Sequence, residues 1–97
     1  MKTVLIVINH FKEAWNRLSE DAQAEFAARI RNTAEEVGVR PVIGYKLNTP
    51  GAVMDIWEAD NRQLLDAFKS QLDALGYKTY FDYVLMYGTR QAGWLHV

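Results

Sequence analysis

Cysteine is absent from this 97-residue chain, which excludes disulfides, thiolate metal ligands and a cysteine nucleophile together. Histidine is scarce: His10 and His96 are the two imidazoles, one near each end. Neither has an acidic cluster at ligand spacing beside it, so no metal is expected. An excess of one charge sign is also missing. Eleven Lys and Arg stand against twelve Asp and Glu, a formal net charge of −1, which offers no broad field to nucleic acid or an anionic membrane. The longest apolar run, Val4 to Ile8, is far too short to cross a bilayer. It leads directly into Asn9-His10 with no cleavage-type segment, so a cytoplasmic protein without signal peptide is expected.

What is there is an ordinary globular balance, 49% hydrophobic and 24% charged residues, in a length that suits one domain spanning residues 1–97. Area scaling has a chain of this size hide roughly 65% of its unfolded surface on folding. That supports one core with little stability to spare, and association with a second copy would add to it.

Thr3 to Phe11 is β-branched and apolar and reads as a strand. Lys12 to Leu18 is a connector with room for a short helical turn. Ser19 then suits an N-cap, with Glu20 and Asp21 in the first turn, where negative charge complements the helix dipole. Ala22, Phe26, Ile30, Ala34 and Val37 recur at helical steps opposite Glu25, Arg29 and Glu36, and Gly38 follows as a left-handed stop. Pro41 introduces a second strand over Val42 to Leu47, Asn48-Thr49-Pro50-Gly51 turns, and Ala52 to Glu58 returns as the third strand. Asp60 to Gln63 reads as a capping box with Asp60 as N-cap, and Ala59 and Leu64 as a staple. Leu64, Leu65, Phe68, Leu72 and Leu75 make the buried stripe of the second helix; Gly76 stops it, with Tyr77 folding back onto Leu72. Lys78 to Tyr87 reads as an aromatic-rich fourth strand, and the tail from Gly88 to Val97 has no clear period.

The order strand-helix-strand-strand-helix-strand predicts an α+β ferredoxin-like βαββαβ sandwich, a four-stranded antiparallel sheet with two helices on one face. Two helices cover only that face. Yet the first strand is apolar on both sides, with Val4, Ile6 and Ile8 opposed to Leu5 and Val7. The fourth repeats this, with Phe81, Tyr83, Leu85 and Tyr87 opposed to Val84 and Met86. A sheet with one wet face alternates apolar and polar residues. The second face is therefore expected to pack on a second copy, as a homodimer.

These features resemble the dimeric α+β barrel superfamily, which includes muconolactone isomerases, small polyketide cyclases, cofactor-free antibiotic-biosynthesis monooxygenases and haem-degrading monooxygenases. The resemblance is carried by Val4 to Phe11, by Pro50-Gly51-Ala52-Val53-Met54-Asp55-Ile56-Trp57-Glu58 running into the second helix, and by the aromatic last strand. Trp15-Asn16-Arg17-Leu18-Ser19 followed by Phe26 is similar to the approach into the first helix of the darcynin-like group. The resemblance implies a dimeric barrel, no cofactor, and a ligand site between sheet and helices in each subunit. It also implies a polar pocket residue late in the first strand on the helix-facing side. Asn9, in phase with Leu5 and Val7, fits that place, although an Asn there also serves as a strand-end cap for the 12–18 loop.

Asp55 and Trp57 share a face of the third strand. A half-buried Asp needs a partner or a raised pKa, which makes Asp55 a candidate acid or base; the alternative is an Asp held by Lys46 across the hairpin. His10 is a candidate proton shuttle, because imidazole is the side chain that exchanges protons near neutral pH. The candidate catalytic set is thus Asn9, Asp55 and His10. Trp57, Tyr45, Tyr83, Phe26 and Phe68 are candidate ligand contacts, each with a plain reading as core or cross-strand pairing.

Haem degradation fits poorly, because Leu75-Gly76-Tyr77-Lys78 after the second helix has no His to ligate iron. RNA binding fits poorly too, since Val53-Met54-Asp55-Ile56-Trp57 is acidic and lacks the glycine of RNA-recognition strands. The expectation is a small-molecule pocket protein, either a cofactor-independent isomerase, cyclase or monooxygenase acting on an aromatic or polyketide-like compound, or a non-catalytic ligand-binding module. No nucleic acid or membrane partner is expected.

Overall fold

A computed structural model describes residues 2–91. His96 and the end of the tail lie outside the described residues. The chain runs β1 (Thr3–Phe11), α1 (Glu13–Asn16), α2 (Glu20–Val37), β2 (Arg40–Lys46), β3 (Ala52–Ala59), α3 (Arg62–Ala74), α4 (Tyr77–Tyr80) and β4 (Phe81–Thr89). The strands form one antiparallel sheet in the order β2-β3-β1-β4, the ferredoxin-like α+β arrangement. Among the described residues no helix is long and apolar enough to cross a membrane.

Local chemistry sets most of the boundaries. Ser19 Oγ accepts from the Ala22 amide at 3.1 Å to open α2, and Gly38 closes it at φ 96°. Gly76, at φ 87°, turns the chain after α3. The start of α3 differs from the capping box expected at Asp60. The N-cap is Asn61, whose Oδ1 accepts from the Leu64 amide at 3.0 Å. Asp60 instead lies one residue outside the helix, 3.4 Å from Lys2 Nζ and 3.6 Å from Arg40 Nη2. Two adjacent residues able to cap compete here, and the nearby cations draw Asp60 away. A second difference follows Gly76. Residues 77–80 form a helical turn rather than the start of the last strand, which begins at Phe81 and runs on to Thr89.

The core lies between the sheet and α2 and α3. Leu5 and Val7 of β1, Trp57 and Ala59 of β3 and Phe81 of β4 meet Phe26 and Ala34 of α2 and Leu65, Phe68 and Leu72 of α3, all buried. Among the described residues the opposite face of the sheet carries no helix and is largely apolar. Ile6 stands between Ile56 of β3 and Met86 of β4, and Ile8 between Met54 and Val84. On the outer strands of this face Ile43, Tyr45, Val84 and Met86 are all exposed. One edge of the face is polar. There Glu58 lies between Arg40 and Arg90, at 3.4 and 3.6 Å.

Candidate functional site

Alternation along β1 sends Asn9 under the sheet with Leu5 and Val7, and it is only 2% exposed. A side-chain amide so placed needs partners on both ends. Its Oδ1 accepts from the Tyr77 hydroxyl at 2.5 Å, and its Nδ2 donates to Asp55 Oδ2 at 3.2 Å. Asn9 therefore does not cap the loop that follows it. Tyr77 reaches this point because Gly76 redirects the chain into α4, whose first residue drops back beneath β1. The sequence gives Tyr77 a packing role on Leu72 after the Gly76 stop, and its hydrogen bond to Asn9 carries no sequence signal of its own.

Asp55 stands in the middle of β3, opposite Val7 on one side and Gly44 on the other. The second pairing depends on a bulge. Pro41 faces Trp57, but the next pair is Ile43 with Ile56, so Val42 is an extra residue in β2. An extra residue reverses the parity of everything after it. Without it, Ile43 would oppose Asp55 and Tyr45 would point toward the helices. With it, Gly44 opposes Asp55 and Tyr45 opposes Met54 on the uncovered face. A Cβ on Gly44 would lie 3.0 Å from Asp55 Oδ1, so the missing side chain is what leaves that oxygen uncovered. Gly44 has no left-handed backbone to explain its presence.

Beside this oxygen is a cavity of about 460 Å³ between α2 and the adjacent strands β2 and β3. Ala27, Ile30 and Arg31 line it from α2, Pro41 to Gly44 from β2, and Asp55, Ile56 and Trp57 from β3. Trp57 is held from behind by Phe68, with ring centroids 4.8 Å apart. Burial pushes the Asp55 carboxyl above the usual carboxylate range, and among the described residues no cation offsets that push. Lys46, the partner expected across the hairpin, stands opposite Val53 and forms no ion pair with Asp55 among the described residues. Burial likewise raises the Tyr77 hydroxyl, helped by the nearby Asp55 charge, so the phenol remains a donor. The arrangement offers a hydrogen-bonded carboxyl with one oxygen satisfied and the other facing open space.

Of the candidates named from sequence, Asn9, Asp55 and Trp57 come together here. Phe68 lies directly behind them. Phe26 does not line this cavity; it packs at the far end of the core against Trp15, Tyr80 and Phe81. Tyr83 lies under the sheet beside Tyr77, centroids 5.3 Å apart, and donates to Asp73 at 2.8 Å. Burial and that bond push the Tyr83 hydroxyl up to about 12. Two candidates are placed elsewhere. Tyr45 is turned to the uncovered face by the bulge, and His10, one residue past Asn9, is exposed on that same face. Neither reaches the Asp55 cavity.

A second cavity, about 470 Å³, lies under β4 and is lined by Lys12, Lys69, Lys78 and Asp82 with Phe81, Tyr83 and Leu85. Its charges are already engaged. Lys12 pairs with Asp82 at 3.6 Å, and Lys69 and Lys78 approach Asp73 at 3.4 and 4.0 Å. Among the described residues no three His, Cys, Asp or Glu side chains converge to hold a metal ion.

Neither a protein-family model nor a curated protein matches the sequence. Solved structures do match by shape. A mutant chlorite dismutase from Candidatus Nitrospira defluvii superposes with a TM-score of 0.72 at 14% identity over 93% of this chain. This chain spans only 40% of that one. A dimeric ferredoxin-like protein from an uncultured marine organism matches with a TM-score of 0.62 at 13% identity, covering 98% of this chain and 99% of its own. Rv0793 from Mycobacterium tuberculosis matches with a TM-score of 0.59 at 16% identity, covering 96% and 100%. At these identities the likeness is one of fold, and the fold this chain shares with them is the ferredoxin-like α+β sandwich.

Proposed function

We propose that the protein is a homodimeric small-molecule-binding protein of the dimeric α+β barrel type, holding an aromatic or polyketide-like ligand between α2 and the β2–β3 edge of each subunit. The observation that carries this reading is the Tyr77–Asn9–Asp55 chain, which ends on an uncovered carboxyl oxygen beside an otherwise mainly apolar cavity walled by Trp57. A cavity with few convergent polar groups is the usual form of a small-ligand site. Where turnover occurs, the chemistry within reach is proton exchange at Asp55, of isomerase or cyclase type, because among the described residues no strong nucleophile borders the cavity. A non-catalytic binding module is the second reading. It is favoured by Asp55 being, among the described residues, the one carboxyl that lines the cavity, with no second carboxyl or imidazole beside it there to complete a proton transfer. Support for the dimer comes from the apolar uncovered sheet face and from the dimeric ferredoxin-like neighbour.

The cavity is tested with neutral planar phenols such as 2-naphthol, titrated against tryptophan fluorescence. Saturable binding that is lost in Ala27→Phe, which fills the cavity from α2, is the expected result. Equal binding by Ala27→Phe, or none by any phenol, would sink the assignment of this cavity.

A further inference from the structure

Three features around Asp55 point the same way. Asn9 donates to Oδ2, so a proton on the carboxyl resides on Oδ1. The Val42 bulge brings Gly44 opposite, leaving Oδ1 uncovered on the cavity side. Arg31 borders both this cavity and an adjoining one of about 380 Å³ shared with Glu35 and Pro41, and forms no ion pair among the described residues. An oxygen at the inner end that can take up a proton and a cation on the exposed rim are thus joined by an apolar wall of Ile30 and Trp57.

We propose that the cavity selects a flat, mainly apolar molecule with a hydrogen-bond acceptor at one end and an anionic group at the other, the acceptor taking a hydrogen bond from Asp55 Oδ1–H and the anion meeting Arg31. This rests on the cavity being the ligand site, as proposed above. Filling the cavity removes the water that still reaches Asp55, which favours its neutral form, so binding draws in one proton. The surroundings reinforce this. Asn9 faces Asp55 from β1 and is uncharged. Tyr77 from α4 and Tyr83 from β4 lie beneath with hydroxyls that stay protonated. Lys46 of β2 shares the face but stands opposite Val53, and Arg31 approaches from α2.

The probes are 4-acetylbenzoate, which has both ends, 4-isopropylbenzoate, which lacks the acceptor, and 4-acetylbenzamide, which lacks the charge. Calorimetry in buffers of different ionisation enthalpy reads affinity and proton uptake together. The acetyl acid should bind about tenfold tighter than the isopropyl acid. It should exceed the amide by only about threefold, because an exposed ion pair is weak, and that margin should vanish in high salt and in Arg31→Gln. Wild type should take up a proton and bind more tightly as pH falls from about 8 to 5. Asp55→Asn should retain the donor toward the ligand but lose both the proton uptake and the pH dependence. Gly44→Ala should weaken binding by covering Oδ1.

Equal affinity for the acetyl and isopropyl acids, or binding without proton uptake, would overturn the ligand class. Failure of all three probes would overturn it too. Saturable binding of neutral phenols that Ala27→Phe abolishes would, in each of these cases, leave the cavity itself standing.

Discussion

Tyr77 donates to Asn9 Oδ1 across 68 positions of sequence, and this single 2.5 Å bond decides which way the Asn9 amide faces. With the carbonyl oxygen taken by the phenol, the NH₂ group must point toward Asp55. The orientation of the carboxyl at the cavity is thus set from beneath, by a residue that touches no part of the cavity.

Tyr77→Phe removes that donor and leaves a buried acceptor unpaired. The cost is expected to be about 1–3 kcal/mol. A melt should show a lower Tm, by roughly 4–8 °C for each kcal/mol in a domain of this size. An unchanged Tm would mean that Asn9 Oδ1 finds another donor.

Asp55 makes stability depend on pH in the direction opposite to most carboxyls. Its folded pKa lies above the unfolded value of 3.8, so the folded state holds the proton longer. Stability from this group is fully present below the unfolded pKa and is lost as pH rises through the folded pKa. Asp73 runs the other way. Burial works to raise it, but the Tyr83 hydrogen bond and the Lys69 and Lys78 charges bring it below the usual range, so its contribution is lost in acid. Comparing wild type with Asp55→Asn isolates the first effect. In urea titrations the variant should be the more stable protein at neutral pH, with the gap closing as pH approaches 4. A gap independent of pH would show that Asp55 has the same pKa folded and unfolded.

The cap of α3 separates two adjacent residues. Asn61→Ala should cost about 1 kcal/mol through loss of the bond to the Leu64 amide. Asp60→Ala removes only exposed ion pairs to Lys2 and Arg40 and should leave the melting temperature close to that of wild type. If Asp60→Ala proves the costlier change, the helix begins one residue earlier in solution.

The uncovered sheet face gives a prediction about assembly. Val84 is 58% and Met86 47% exposed, so charging both should leave the core of one subunit intact. Light scattering should report twice the 11.2 kDa chain mass for wild type and the single chain mass for Val84→Glu/Met86→Glu. A wild-type protein that scatters as one chain would remove the dimer from the proposal.

What the sequence by itself determined are the features that rest on neighbours in the chain. Two-residue alternation along β1 placed Asn9 with Leu5 and Val7, and the same period paired Asp55 with Trp57. Ser19, Gly38 and Gly76 marked helix ends because capping and left-handed turns are local chemistry. Tertiary structure decided everything that depended on a distant partner. Ser19 had no rival for its helix, whereas Asp60 and Asn61 both suited a cap, and Lys2 and Arg40, far away in sequence, settled which one served. The bulge at Val42 left no mark in composition, yet by adding one residue it turned Tyr45 outward and set Gly44 against Asp55. The bond from Tyr77 to Asn9 has no period at all, because it exists only once α4 has folded back beneath β1.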